Sequence, residues 1–151
     1  MARAKRKEEE AATNLYPIIL CLMNTKIIQI DDDFINNMAN ERLMRKLGLS
    51  FEITNFLDPT EALRYLEATQ EHFDLILLDI NMPRINGWEF LNRFELLNKR
   101  YPIVMLTSSM DPNDQKRANA SPLLSGFYVK PLSKEMVHHI LQKVGVELTL
   151  V

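Results

Sequence analysis

The chain has a single cysteine, Cys21, so no internal disulfide can form. A lone thiol in an apolar run reads as an inert residue in a reducing compartment. Net charge is also scarce: the formal value is −2, which gives no electrostatic basis for binding nucleic acid or a membrane surface. No stretch reaches the roughly 18 apolar residues of a membrane helix. The start is also a poor match to a secretory leader, because basic Met1–Lys7 runs into Glu8-Glu9-Glu10 and the apolar piece Leu15–Met23 is broken by Pro17. The expected location is therefore the cytoplasm. Neither an internal repeat nor a low-complexity linker interrupts the chain.

What is present fits one domain: 151 residues, 46% apolar and 25% charged, are enough for a real core under a soluble surface. Residues 1–24 read as an N-terminal extension, either flexible or not native to the domain, since Met23-Asn24-Thr25-Lys26 is itself a natural start. The competing expectation is a short helix docked through Tyr16, Ile18, Ile19 and Leu22. The domain proper is expected over 25–146, with a tail at 147–151.

Across that domain strands alternate with helices. The central stretch is Phe73-Asp74-Leu75-Ile76-Leu77-Leu78-Asp79. Four consecutive apolar residues suit a strand covered on both faces, as in a parallel sheet. Asp79 closes the run, and Met82-Pro83 stops its continuation. Further strands are expected at Ile27–Ile30, Phe51–Asn55, Pro102–Leu106 and Phe127–Val129. The first helix is expected to end at Leu47-Gly48 and to bury Ile35, Met38, Ala39, Leu43 and Leu47. Asp58-Pro59-Thr60-Glu61 starts a second helix, with Glu61 reaching back to the cap. A third begins near Asn86-Gly87, a short polar fourth at Asp111-Pro112, and a fifth after Ser133. Five βα units predict right-handed crossovers and a doubly wound sheet with helices on both faces.

In such sheets ligands bind at the carboxyl ends of the strands. Those ends carry Asp31 and Asp32, Asp79, Thr107 and Lys130. Three carboxylates in one notch repel, and a pair 4 Å apart costs about 4 kcal/mol at an effective dielectric of 20. Mg²⁺ relieves this with hard oxygen ligands, so Asp31, Asp32, Asp79 and the backbone carbonyl of Asn81 form a candidate Mg²⁺ site. A carboxylate can attack phosphorus to give an acyl phosphate, and Asp79 is the candidate phosphoacceptor. The transferring group spreads charge over three oxygens, to be met by Mg²⁺, the Thr107 hydroxyl and the Lys130 ammonium. Ser108 is small enough to leave room. His72, His138 and His139 lie elsewhere, so no side chain serves as a base for water. That favours holding a phosphoryl group over hydrolysing esters. An aspartate-nucleophile phosphatase would place a second acid where Asn81 stands.

The ordered set Ile30-Asp31-Asp32-Asp33, Leu77-Leu78-Asp79-Ile80-Asn81-Met82-Pro83, Gly87, Leu106-Thr107-Ser108-Ser109 and Phe127-Tyr128-Val129-Lys130-Pro131 resembles the receiver domain of two-component response regulators. The resemblance covers about residues 25–146. It implies a flavodoxin-like parallel sheet of order 2-1-3-4-5, Asp79 as phosphoacceptor, and a cis Lys130–Pro131 bond that turns the amine toward Asp79. It also implies a switch in which Thr107 moves inward and Phe127 follows, altering the surface of the fourth helix, fifth strand and fifth helix. Phe127 lacks the phenolic hydroxyl of many relatives. The implied role is signalling rather than enzymatic: phosphorylation by a histidine kinase or histidine phosphotransfer protein, then binding of a downstream protein or onward transfer. With so little chain after the fifth helix, a stand-alone regulator of the chemotaxis type is expected.

Overall fold

The computed structural model describes residues 24–48 and 50–146. The expected extension up to Met23 and the tail 147–151 lie outside the described residues. Five strands form one sheet: β1 (Thr25–Ile30), β2 (Phe51–Phe56), β3 (Leu75–Leu78), β4 (Ile103–Thr107) and β5 (Leu124–Val129), in the order β2-β1-β3-β4-β5 and all parallel. Five helices connect and follow them: α1 (Phe34–Lys46), α2 (Pro59–Ala68), α3 (Gly87–Glu95), α4 (Pro112–Ala120) and α5 (Lys134–Lys143). The doubly wound fold read from the sequence is the fold observed.

Alternation along the strands divides the core in two. Ile28, Ile30, Ile76, Leu78, Ile103 and Met105 pack under α2, α3 and α4. Ile27, Leu75, Leu77 and Val104 face Met44 of α1 and Val137, Ile140 and Leu141 of α5. Leu75–Leu78 of β3 is buried at every position, as a central strand covered on both faces requires. Each such side chain contributes roughly 1.5–3 kcal/mol of burial.

Local chemistry sets the helix starts. Asp33, Asp58, Asn86, Asp111 and Ser133 each accept backbone N–H groups of the following turn. Proline opens α2 and α4. The Asp58 carboxylate accepts from Thr60 through both amide and hydroxyl. Gly48 ends α1 at φ 71°.

Two expectations need correction. The buried face of α1 is Asn37, Asn40 and Met44, whereas Ile35 and Met38 are 64% and 51% exposed. The Asn37 amide donates to the Asp31 carbonyl, and Gln29 donates to the Asn37 carbonyl; these bonds set the helix's rotation against an apolar stripe that points outward. Strand β5 begins at Leu124, three residues before the Phe127 start expected. Ser125 and Gly126 disguise an edge strand that is only half-buried throughout.

Gly87 fixes how closely α3 approaches the sheet. Its N–H donates to the Ile80 carbonyl at 2.8 Å, and an added Cβ would run into the Asp79 carbonyl oxygen. Backbone cannot yield as a side-chain tip can. Gly87→Ala is therefore expected to destabilise the chain by about 1–3 kcal/mol, the usual cost of overpacking. Denaturant unfolding measures it; an unchanged midpoint would show that the Ile80–Gly87 turn relaxes freely.

Candidate functional site

Register assembles the site. Ile30 of β1 pairs with Leu78 of β3, so Asp31 and Asp79 leave neighbouring strands at the same level. The Asp79 N–H donates to the Ile30 carbonyl at 3.0 Å. Across the sheet Thr107 pairs with Val129, and the Lys130 N–H donates to the Thr107 carbonyl at 2.8 Å. Four strands thus end in polar residues on one edge. The Lys130–Pro131 bond is cis.

Asp31, Asp32 and Asp79 each offer a carboxylate oxygen within 4.8 Å of the others; Asp31 and Asp79 are buried and Asp32 is exposed. The Lys130 Nζ lies 2.6 Å from Asp31 Oδ2 and 3.5 Å from Asp79 Oδ1. Asp31 is fully engaged. Its Oδ1 accepts from the Asp33 N–H at 2.9 Å, and its Oδ2 accepts from Asn36 Nδ2 at 2.7 Å as well as from Lys130. Asp79 Oδ1 is buried and has no hydrogen-bond partner, its approach to Lys130 being an ion pair only. Asn81 is exposed, two residues further along.

One ammonium faces three carboxylates, and one buried carboxylate oxygen lacks a donor. That excess of hard, acceptor-only oxygens fits a divalent cation such as Mg²⁺.

Burial pushes the Asp79 carboxyl above its ordinary range; the nearby Asp31 charge pushes the same way, and Lys130 opposes both. The folded chain thus keeps this proton to higher pH than the unfolded chain does. The group's stabilising contribution is complete below its ordinary value of 3.8 and is lost as pH rises through the raised one. In chelator, Asp79→Asn is expected to exceed the native chain in stability at neutral pH by about 1–3 kcal/mol, the cost of a buried acceptor left unpaired. The gain should vanish below about pH 4, where both forms are neutral. Thermal unfolding against pH checks this. A variant no more stable than native at pH 7 would mean that Asp79 carries no desolvation penalty.

Thr107 is fully buried at the end of β4, and its hydroxyl accepts from the Ser109 N–H at 3.1 Å. Ser109 Oγ donates to Asp114 Oδ2 at 2.5 Å, and Trp88 Nε1 donates to Asp114 Oδ1 at 2.9 Å. The Arg117 guanidinium covers the Trp88 ring at 4.4 Å. Trp88 is buried in the core and also joins α3 to α4. Phe127 packs part-buried against the core beside α4. His72 and His139 stand apart from the acidic notch, and His139 Nδ1 meets the Tyr128 hydroxyl at 2.8 Å.

Sequence reasoning finds Asp31, Asp32, Asp79, Thr107 and Lys130, and the structure places all five at one edge. It misses Asn36 and Asn37, which hold the Asp31 carboxylate and carbonyl. The available signal is asparagine at the core-facing spacing 37, 40, 44, where an apolar residue is the ordinary choice.

Fold and site together define a class: a doubly wound parallel α/β domain with a carboxylate cluster and an opposing ammonium at its carboxyl edge. The family described as the response regulator receiver domain matches residues 27–142, and the chain belongs to that family. It is a signalling domain of two-component systems. It is 34% identical over 113 residues to the transcriptional regulatory protein FlgR of Helicobacter pylori, covering 74% of this chain but only 27% of FlgR. A two-component response regulator from Cytophaga hutchinsonii superposes with a TM-score of 0.73 at 32% identity, covering 82% of this chain and 98% of that one. The receiver domain of a Pseudomonas aeruginosa sensor histidine kinase, solved with magnesium in its active-site cleft, shares the fold at a TM-score of 0.68 and 23% identity, covering 82% of this chain and 99% of its own. No described helix is long and apolar enough to cross a membrane.

Proposed function

We propose that Asp79 accepts a phosphoryl group from a phosphohistidine of a histidine kinase or phosphotransfer protein, within a receiver unit spanning 25–146. An Asp79 carboxylate oxygen attacks phosphorus, the P–N bond of the donor breaks with its electrons passing to the imidazole, and an acyl phosphate remains on Asp79. The observation carrying this reading is the buried, unpartnered Asp79 Oδ1 with the Lys130 ammonium 3.5 Å away. Asp31, Asp32, Asp79 and the Asn81 carbonyl would hold Mg²⁺. When bound, Mg²⁺ supplies Lewis-acid neutralisation of phosphoryl charge. Lys130 meets a second oxygen and the Thr107 hydroxyl a third. The tie between Asp31 and Lys130 holds the ammonium at the notch.

Thr107 then exchanges its bond from Ser109 N–H for one to the phosphoryl group. Because Ser109 is tied through Asp114 to Trp88, this shift loosens α4, and Phe127 follows Thr107 inward. The altered face of α4, β5 and α5 binds a downstream protein in the cytoplasm, or the phosphoryl group passes onward.

Intact-mass measurement with a small acyl phosphate as donor tests the reading. With Mg²⁺ the native chain is expected to gain one phosphoryl group. In chelator the rate should fall at least about a hundredfold, since the cation contributes several kcal/mol. No gain with Mg²⁺, or equal rates in chelator, would contradict it.

A further inference from the structure

Gln29 lies on the face of β1 shared by Ile27 and pairs with Leu77 of β3. It is 1% exposed, and Asn37, opposite it on α1, is 2% exposed. Gln29 Nε2 donates to the Asn37 carbonyl at 3.3 Å and to Asn55 Oδ1 at 2.9 Å. Asn37 Nδ2 donates to the Asp31 carbonyl at 2.9 Å. Main-chain carbonyls only accept, so both amide nitrogens must face them, and neither side chain can be reversed. The oxygens Gln29 Oε1 and Asn37 Oδ1 are left buried and without a donor. Leaving each unpaired costs about 1–3 kcal/mol, more than an apolar residue there would.

Both amides line a cavity of about 10 Å³, together with Asp31, Asn40 and Asp79. That is close to the smallest space that admits one water, about 10–15 Å³. Two carbonyl oxygens without donors require a ligand with two protons to give. We propose that this cavity binds a single water that donates to Gln29 Oε1 and Asn37 Oδ1, and that the two amides it joins are positioning residues for Asp31. Asn37 fixes the Asp31 carbonyl, Asn36 fixes the carboxylate, and the water clamps Asn37 to Gln29. The start of α1 is thereby locked to the end of β1, where the carboxylate must keep its aim.

This inference rests on the reading of Asp31 as a cation ligand. Its test is calorimetric titration of the full chain with MgCl₂ alone, on native protein, Asn37→Leu and Gln29→Met. The variants keep side-chain length and remove the polar atoms. Both are expected to weaken Mg²⁺ binding roughly tenfold, the usual loss when a group that orients a ligand is removed. A merely structural role would lower the unfolding temperature and leave the Mg²⁺ Kd unchanged, which overturns the proposal. A high-resolution crystal structure of the native chain keeps the test decisive if the variants do not fold. A water within hydrogen-bond distance of both oxygens is expected, and a dry cavity overturns the proposal. Native protein that binds no Mg²⁺ would overturn the cation reading and this inference together. Native binding with unaffected variants overturns this inference alone.

Discussion

Asp79→Ala takes up no phosphoryl group under conditions in which the native chain takes up one. The expected loss is complete because no neighbour can substitute. Asp31 has both carboxylate oxygens bound, to the Asp33 N–H, Asn36 Nδ2 and Lys130 Nζ. A lone pair already shared with a donor is a poorer nucleophile, and rotating it outward would break the ion pair with Lys130. Asp32 is exposed, without the low-dielectric surroundings that make placed charges effective. Asp79 alone combines burial, a free oxygen and an ammonium within 3.5 Å. Intact mass of the variant after treatment with donor and Mg²⁺ measures this. A gain equal to native would move the acceptor elsewhere.

Lys130→Ala is expected to slow phosphorylation by about 10²–10³-fold at saturating Mg²⁺, the cost of removing one group aimed at developing charge. The same change removes the partner of a largely buried pair, whose side chains are 14% and 7% exposed. Breaking such a pair from one side costs about 3–5 kcal/mol. A domain with roughly 5–15 kcal/mol in hand is left with little margin only near the lower end of that range. Mg²⁺ should recover part of the loss by neutralising the Asp31 and Asp79 charges that Lys130 no longer balances. Phosphorylation rates and unfolding temperatures, each with and without Mg²⁺, separate the two effects. A rate within threefold of native would remove Lys130 from the chemistry.

The site is legible in the sequence wherever a polar residue closes an apolar run. Asp79 after Leu75–Leu78 and Thr107 after Ile103–Leu106 are such cases. Strand ends in a parallel sheet converge on one edge, so order along the chain is enough to bring Asp31, Asp79, Thr107 and Lys130 together. The rotation of α1 is not legible in the same way. Periodicity counts apolar side chains and favours Ile35 and Met38, yet the helix turns on hydrogen bonds from Asn37 and Gln29. Polar bonds of this kind depend on a partner strand that a helical pattern does not contain. The early start of β5 is hidden for a related reason: an edge strand is half-buried, and Leu124-Ser125-Gly126 has neither the run nor the alternation that marks a strand. The bond from Trp88 to Asp114 is hidden as well, because it joins α3 to α4 across residues distant in the sequence.

Borohydride reduction followed by peptide mapping tests the central claim most directly. Hydride converts an aspartyl phosphate to homoserine and releases phosphate, while free carboxylates are untouched. After treatment with donor and Mg²⁺, homoserine is expected at position 79 and at no other acid of the chain. Homoserine at position 31 or 32, or at none, would contradict the assignment of Asp79 as the phosphoryl carrier.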